Sequence, residues 1–370
     1  MEGISVPFND LSRQTDIIRR DVLAEWSTIL EEGLYIHGPR LERFESELSQ
    51  FLGVDHAVGV GNGGDALEIA LRACEVAPGD EVILPANSYA ATAMAVLNVG
   101  ATPILVDVDR KTHLIKIDAI ANACSAKTAA VIPVHLYGQM VNMTELHKLG
   151  KNANIKIIED AAQCIGANQR EAGIGELSNA ACISFYPGKN LGAFGDAGAV
   201  VTNDADCAHR MREIRNYGGT VRYEHRTLGR NSRLDELQAA VLRAKLPYLK
   251  EWTGERNKIA TRYSDSFEAL DWLDLPVTAD GNDHVWHLYV VKCSERDQFQ
   301  NHLANQGVQT VIHYPHTLET IPGVELRHPI NVAQQLAEDI LSLPMFPGLT
   351  TIEQQHVIHA VRTFEPSRGS

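Results

Sequence analysis

The chain is poor in cysteine and has no cysteine pair at metal or redox spacing. Its six cysteines (Cys74, Cys124, Cys164, Cys182, Cys207, Cys293) are scattered through 370 residues with no C-x-x-C. That pattern argues against a disulfide-framed scaffold and reads as reduced core thiols of a cytoplasmic protein. No apolar run approaches the roughly 18 residues needed to cross a bilayer. Met1-Glu2-Gly3-Ile4 lacks the basic and apolar regions of a secretory signal. Excess positive charge is missing too. A formal net charge of −14 argues against nucleic acid or an anionic membrane as partner, while leaving room for a local basic site for a phosphorylated ligand. The 15 histidines contain no H-E-x-x-H and no compact ligand set, so no metal is expected. No repeat, low-complexity tract or disordered linker breaks the chain. The terminal Arg368-Gly369-Ser370 reads as an appended remnant.

What remains is an ordinary soluble composition, 44% hydrophobic and 22% charged, long enough for two domains. Apolar residues at helical spacing (Ile17, Ile18, Val22, Leu23, Trp26, Ile29, Leu30, then Leu41, Phe44, Leu48, Phe51 after Gly38-Pro39) predict two amphipathic helices over residues 10–52. Short apolar strands then alternate with helices. Strands are expected at 56–60, 81–84, 102–107, 129–133, 155–159, 181–185 and 197–202, with helices at 64–74, 88–99 and 142–151. Strands without strong alternation, separated by helices, imply an α/β fold with a sheet covered on both faces. After about Arg233 the pattern changes. A long helical stretch runs through Leu237, Ala240, Val241, Leu246 and Leu249. Strands at 287–292 and 308–312 and helices at 295–306, 332–341 and 352–361 follow. The expected division is a large domain, 1–245, and a small α+β domain, 246–370.

Lys189, in Ser184-Phe185-Tyr186-Pro187-Gly188-Lys189-Asn190-Leu191-Gly192, stands between a strand and a glycine-rich stretch. Asp160 ends the apolar strand Ile155-Lys156-Ile157-Ile158-Glu159. A buried carboxylate there needs a partner. A loop lysine and a strand-end aspartate are the two groups that pyridoxal phosphate (PLP) chemistry requires: one for the covalent link, the other to hold the pyridine nitrogen protonated. The turn Gly59-Val60-Gly61-Asn62-Gly63-Gly64-Asp65 joins a strand to a helix. It reads equally well as a phosphate cradle at a helix N-terminus or as a tight βα turn. It does not fit a dinucleotide fingerprint. Tyr89 follows a strand end, where a ring can stack on a planar cofactor or simply start a helix. Seven arginines between Arg210 and Arg233 (210, 212, 215, 222, 226, 230, 233) suit a diphosphate; taken singly, each reads first as a salt-bridge residue. His313 and Tyr314 face either the core or an interdomain cleft. His135 and Tyr137 read as structural.

Together these motifs resemble the DegT/DnrJ/EryC1/StrS family of sugar-nucleotide aminotransferases, of PLP fold type I, over nearly the whole chain. The resemblance is carried by Gly63 to Leu67, Pro85 to Thr92, Pro133 to Gly138, Glu159 to Gln163, Ser184 to Lys189, Gly195 to Gly198, Asn216 to Gly218, Asn231 to Ala239 and His313 to Pro315. It implies a large domain with a mostly parallel mixed sheet plus a small C-terminal domain. It also implies that Lys189 links to PLP and shuttles the proton, while Asp160 pairs with the ring nitrogen. Gln163 would sit by the cofactor hydroxyl and Tyr89 on the ring. Gly63 and backbone at Gly64 and Asp65, with Ser184, would hold the phosphate. Asn231 would reach the phosphate of the neighbouring subunit, making a homodimer with shared sites. The branch most resembled acts on dTDP-3-keto-6-deoxyhexoses with glutamate as donor, and points to Tyr186, Tyr217, Arg222, His313 and Tyr314 as sugar-nucleotide contacts. A 4-keto substrate, a 3-dehydratase or a silent paralogue are the alternatives; Lys189 counts against the dehydratase, and Lys189 with Asp160 against the paralogue. The destination of the product, a lipopolysaccharide O-antigen, an S-layer glycan or an antibiotic, is left open. The chain departs from the family at Arg230, where an apolar or aromatic residue is expected, and at Gly64 and Gly188.

Overall fold

A computed structural model describes residues 4–170 and 172–367; Met1–Gly3 and the tail Arg368–Ser370 lie outside the described residues. Two helices open the chain, α1 (Leu11–Glu32) and α2 (Pro39–Leu52). The Asp10 side chain caps α1 by accepting from Ser12 N–H, and Gly33 ends it in the left-handed region at φ 67°. Alternation follows as expected: β1 (His56–Val60), α3 (Gly63–Ala73), β2 (Glu81–Pro85), α4 (Ala90–Asn98), β3 (Thr102–Val106), α5 (Ile117–Ala123), β4 (Thr128–Val131), α6 (Met143–Ala153) and β5 (Lys156–Asp160). The short β6 (Asn168–Gln169) and β7 (Ala172–Gly173) lead to β8 (Ala180–Ser184), β9 (Gly198–Thr202) and α7 (Ala205–Ile214). Then come α8 (Glu236–Lys245), α9 (Leu249–Phe267), β10 (Asn282–Asp283), β11 (Tyr289–Lys292), α10 (Arg296–Asn305), β12 (Glu325–Leu326), α11 (Asn331–Asp339), β13 (Ile340–Leu343) and α12 (Thr351–Arg362).

The main sheet has eight strands in the order β1-β9-β8-β5-β4-β2-β3-β12. Only β9 runs against its neighbours. The C-terminal ends of β1, β8, β5 and β2 therefore lie along one edge, where open α/β sheets bind ligands. β2 and β9 are buried at every position, the continuous apolar run expected of strands covered on both faces. A second cluster packs α9, α10 and α12 on the antiparallel pair β11–β13 through Tyr263, Phe267, Tyr289, Phe299 and Val357.

Two expectations fail. Residues 308–312 form no strand; Val308 and Val311 make only isolated bridges, to Val6 and Ser342. The helix expected at 332–341 stops at Asp339, and Ile340–Leu343 becomes β13, buried on both faces. An apolar run of that length fits either state, and pairing with β11 decides it. Helix α7, capped by Asp204, and strand β12 had no counterpart in the sequence reading. Through β12 and residues such as Leu318, Ile330 and Leu336, chain beyond residue 245 also joins the sheet and its core. Among the described residues no helix is long and apolar enough to cross a membrane.

Candidate active site

Asp160 sits at the end of β5, 6% exposed. Burial raises its pKa, and hydrogen bonds to the carboxylate oppose that rise. Thr92 Oγ1 donates to Oδ2 at 2.8 Å, and Ala162 N–H donates to Oδ1 at 3.2 Å. Since the single Thr92 proton goes to Asp160, Ser88 Oγ, 2.7 Å away, donates to Thr92. Helix α4 begins here, so residues 88 and 92, one turn apart, aim both hydroxyls at the sheet edge. The sequence reading missed this relay. The i, i+4 spacing of two hydroxyls at a helix start after a strand was the available signal.

Lys189 follows β8 in a turn closed by its own N–H to Tyr186 O at 2.8 Å. Burial lowers its ammonium pKa to about 8, against the pull of Asp160. Gln163 is held at both ends. Its Oε1 accepts from Tyr137 N–H at 2.7 Å, and its Nε2 donates to Tyr314 Oη at 3.0 Å. The Tyr314 ring lies 5.7 Å from that of Tyr89, which is 61% exposed over the same opening. The Tyr137 hydroxyl donates to the His313 carbonyl, and His313 Nδ1 pairs with Ser342 Oγ at 2.9 Å. Burial, with Lys189 nearby, lowers the His313 pKa to about 4. Beside it His287 bonds Asn190 at 3.0 Å, and burial keeps its pKa well below the ordinary value.

The glycine turn after β1 is pressed onto the ends of β8 and β9. A Cβ on Gly63 would lie 2.7 Å from Ser184 Cβ, and one on Gly198 2.6 Å from the Asn62 backbone. Helix α3 starts at Gly63 with Asn62 as cap, and Asn62 Oδ1 accepts from Asp65 N–H at 2.8 Å. The Asp65 amide is therefore spent inside the protein, contrary to the expectation that it meets a phosphate. Among the described residues no acceptor is bonded to the N–H of Gly63 or Gly64. These two amides and Ser184 form the open donor set at a helix N-terminus.

The arginine stretch does not act as one cluster. Arg210 Nε donates to Ala73 O at 2.7 Å, and Arg215 is tied to Glu45 and to Gly59 O. Arg226 pairs with Glu224, and Arg230 with Asp65 and Glu68. These four guanidinium groups are engaged within the chain, whereas Arg212, Arg222 and Arg233 make no salt bridge among the described residues. Arg222 stacks on Tyr223 at 4.9 Å. Tyr217 and Asn231 are exposed on the same segment, and Tyr186 is exposed beside Lys189. No hydrogen bond joins Tyr217, Arg222 or Asn231 to the Lys189–Asp160 cluster among the described residues.

A buried strand-end carboxylate, a lysine of weakened basicity and a glycine-cradled helix N-terminus share one sheet edge. The DegT/DnrJ/EryC1/StrS aminotransferase family matches residues 16–362, and the chain belongs to that family. It is similar to the dTDP-3-amino-3,4,6-trideoxy-alpha-D-glucose transaminase of Streptomyces venezuelae, with 43% identity over 96% of this chain and 95% of that protein. Its fold matches the solved structure of S. venezuelae DesV at a TM-score of 0.94, with 42% identity over 97% of this chain and 98% of that one. It also matches ntda of Bacillus subtilis, solved with bound PMP, at a TM-score of 0.90, with 31% identity over 98% and 85%. The α/β fold with its mostly parallel sheet is the fold of these aminotransferases.

Proposed function

We propose that the protein is a PLP-dependent aminotransferase that converts a nucleotide-linked 3-keto-6-deoxyhexose, dTDP-linked, to the 3-amino sugar with glutamate as amino donor. The observation that carries this is the placement at one sheet edge of Lys189, its pKa lowered to about 8, and the hydroxyl-held carboxylate of Asp160. The substrate class rests on the S. venezuelae transaminase. The residues fit the cofactor: the pressed turn at Gly63 leaves two free amides beside Ser184 for a phosphate, and Asp160 offers a buried anion to a ring nitrogen. When bound, PLP supplies an electron sink for the carbanion formed at the donor's α-carbon.

The chain's own groups do the rest. Asp160, whose anionic form is favoured by the hydrogen bonds from Thr92 and Ala162 against the effect of burial, would hold the ring nitrogen protonated. Lys189 would hold the cofactor through Nζ, and its amine, when free, would be the base that takes and returns the donor's α-proton. Its lowered pKa matters because only the free base can do this. Gly63, Gly64 and Ser184 would hold the phosphate, Gln163 would meet the cofactor hydroxyl, and Tyr89 would lie on the ring. Tyr186, Tyr217, Arg222, His313 and Tyr314 line the sugar-nucleotide side, and Asn231 serves the second subunit of a cytoplasmic homodimer. The same reading divides the chain into a large cofactor-binding unit, residues 1–245, and a small one, residues 246–370, part of which returns to the large unit's sheet through β12. The test is spectroscopic. The purified protein must show a PLP absorbance band that glutamate removes and a dTDP-3-keto sugar restores. A colourless protein that binds no cofactor refutes the reading, and restoration only by a 4-keto sugar moves the substrate.

A further inference from the structure

Arg230 departs from the residue type expected beside Asn231, and the structure gives it partners. Its Nη2 lies 2.8 Å from Asp65 Oδ1 and its Nη1 2.5 Å from Glu68 Oε2. Its backbone is fixed as well: the N–H donates to Ile214 O at 2.8 Å, and the carbonyl accepts from Tyr217 N–H at 3.1 Å. Asp65 and Glu68 are one turn apart on α3, the helix whose first residues are Gly63 and Gly64. Both carboxylates are nearly buried. Glu68 has a second cation, Arg72 at 3.1 Å, and an amide, Asn98 at 3.2 Å. Arg230 is the only cation in salt-bridge contact with Asp65 among the described residues.

Asp65 is placed where its charge matters. It is the third residue of the helix, and its Oδ2 reaches back to within 3.5 Å of where a Cβ on Gly61 would stand. A carboxylate in the first turn suits the helix dipole. It also opposes a phosphate dianion arriving at the free amides of the same turn. We propose that Arg230 is a positioning residue for the cofactor phosphate: its guanidinium neutralises Asp65 beneath the phosphate turn and clamps the 215–233 segment to α3. This rests on the reading that the Gly63–Gly64 turn takes that phosphate. Because Asn231 follows directly, the clamp also fixes the backbone of the residue assigned to the partner's cofactor.

The experiment titrates the full-length apo-protein with PLP and, separately, with pyridoxal, which lacks the phosphate. Arg230→Met is expected to weaken PLP about tenfold, a coupling within the range for groups linked through one salt-bridge network, with pyridoxal affinity unchanged. Arg230→Lys recovers part of the loss, and Arg230→Met combined with Asp65→Asn returns PLP affinity towards wild type. Equal losses for PLP and pyridoxal, no recovery in the double variant, or unchanged PLP affinity in Arg230→Met would each overturn the inference. Ser184→Ala separates the two layers. If it weakens PLP while Arg230→Met does not, only the arginine assignment falls; if it leaves PLP affinity intact, the phosphate site itself is misplaced and the inference falls with it.

Discussion

Thr92→Val removes one hydroxyl and keeps the side-chain volume, so it isolates the bond to Asp160. A hydrogen bond to an ionised group is worth about 1.5–3 kcal/mol. Its loss raises the Asp160 pKa further above the ordinary value, in the direction burial already pushes it. The sign follows from the carboxylate. A higher pKa means that the anionic form, needed to pair with a protonated ring nitrogen, is lost at a higher pH as acid is added. The acid limb of the pH profile for PLP binding by apo-protein therefore moves to higher pH, and kcat falls because the ring nitrogen holds its proton less firmly. Ser88 loses its acceptor too, so a small drop in Tm is expected; Ser88→Ala with Thr92→Val controls for it, and Thr92→Ser, which keeps the hydroxyl, should behave like wild type. An acid limb unmoved in Thr92→Val, with normal turnover, would refute the reasoning.

Further outcomes are expected. Lys189→Ala abolishes turnover while the fold, read by circular dichroism and Tm, persists. The rate at which apo-protein combines with PLP rises with pH around a midpoint of about 8, because burial holds the Lys189 pKa there. At pH 7 about a tenth of its amine is free base, against about one in three thousand for an ordinary lysine. Gly63→Ala weakens PLP binding, because the added methyl must displace Ser184 from 2.7 Å; unchanged affinity would show that the turn is not the phosphate cradle. Glu353 is held at a pKa of about 2, below its model-compound 4.5, chiefly by the Arg13 guanidinium. A lowered carboxylate pKa contributes stability that is full above pH 4.5 and is lost as pH falls towards 2. Glu353→Gln should therefore cost about 1–2 kcal/mol in urea unfolding at pH 7, and the difference should shrink below pH 4.5.

Asp160 was legible because it ends an apolar strand, and Lys189 because it stands in the loop between an apolar strand and a glycine-rich stretch. The sheet was legible for the same reason: strands covered on both faces leave continuous apolar runs. Thr92 and Ser88 stood out less, since a hydroxyl alone carries no sign of burial and only their i, i+4 spacing after a strand pointed to them. The fate of the Asp65 amide turned on one residue of helix phase. With α3 starting at Gly63, Asn62 becomes the cap and takes that N–H. The arginines between 210 and 233 looked like a ligand cluster because Glu45 and Glu68, partners of Arg215 and Arg230, lie 170 and 162 residues away in sequence. Strand β12 is two exposed residues and has no hydrophobic signal to read.

Borohydride reduction of the PLP-loaded protein, followed by peptide mass mapping, tests the central claim most directly. One pyridoxyl group on Lys189, in the peptide that contains Tyr186-Pro187-Gly188, is the expected result. A label on another lysine, or no label on a protein that still turns over, would contradict the account.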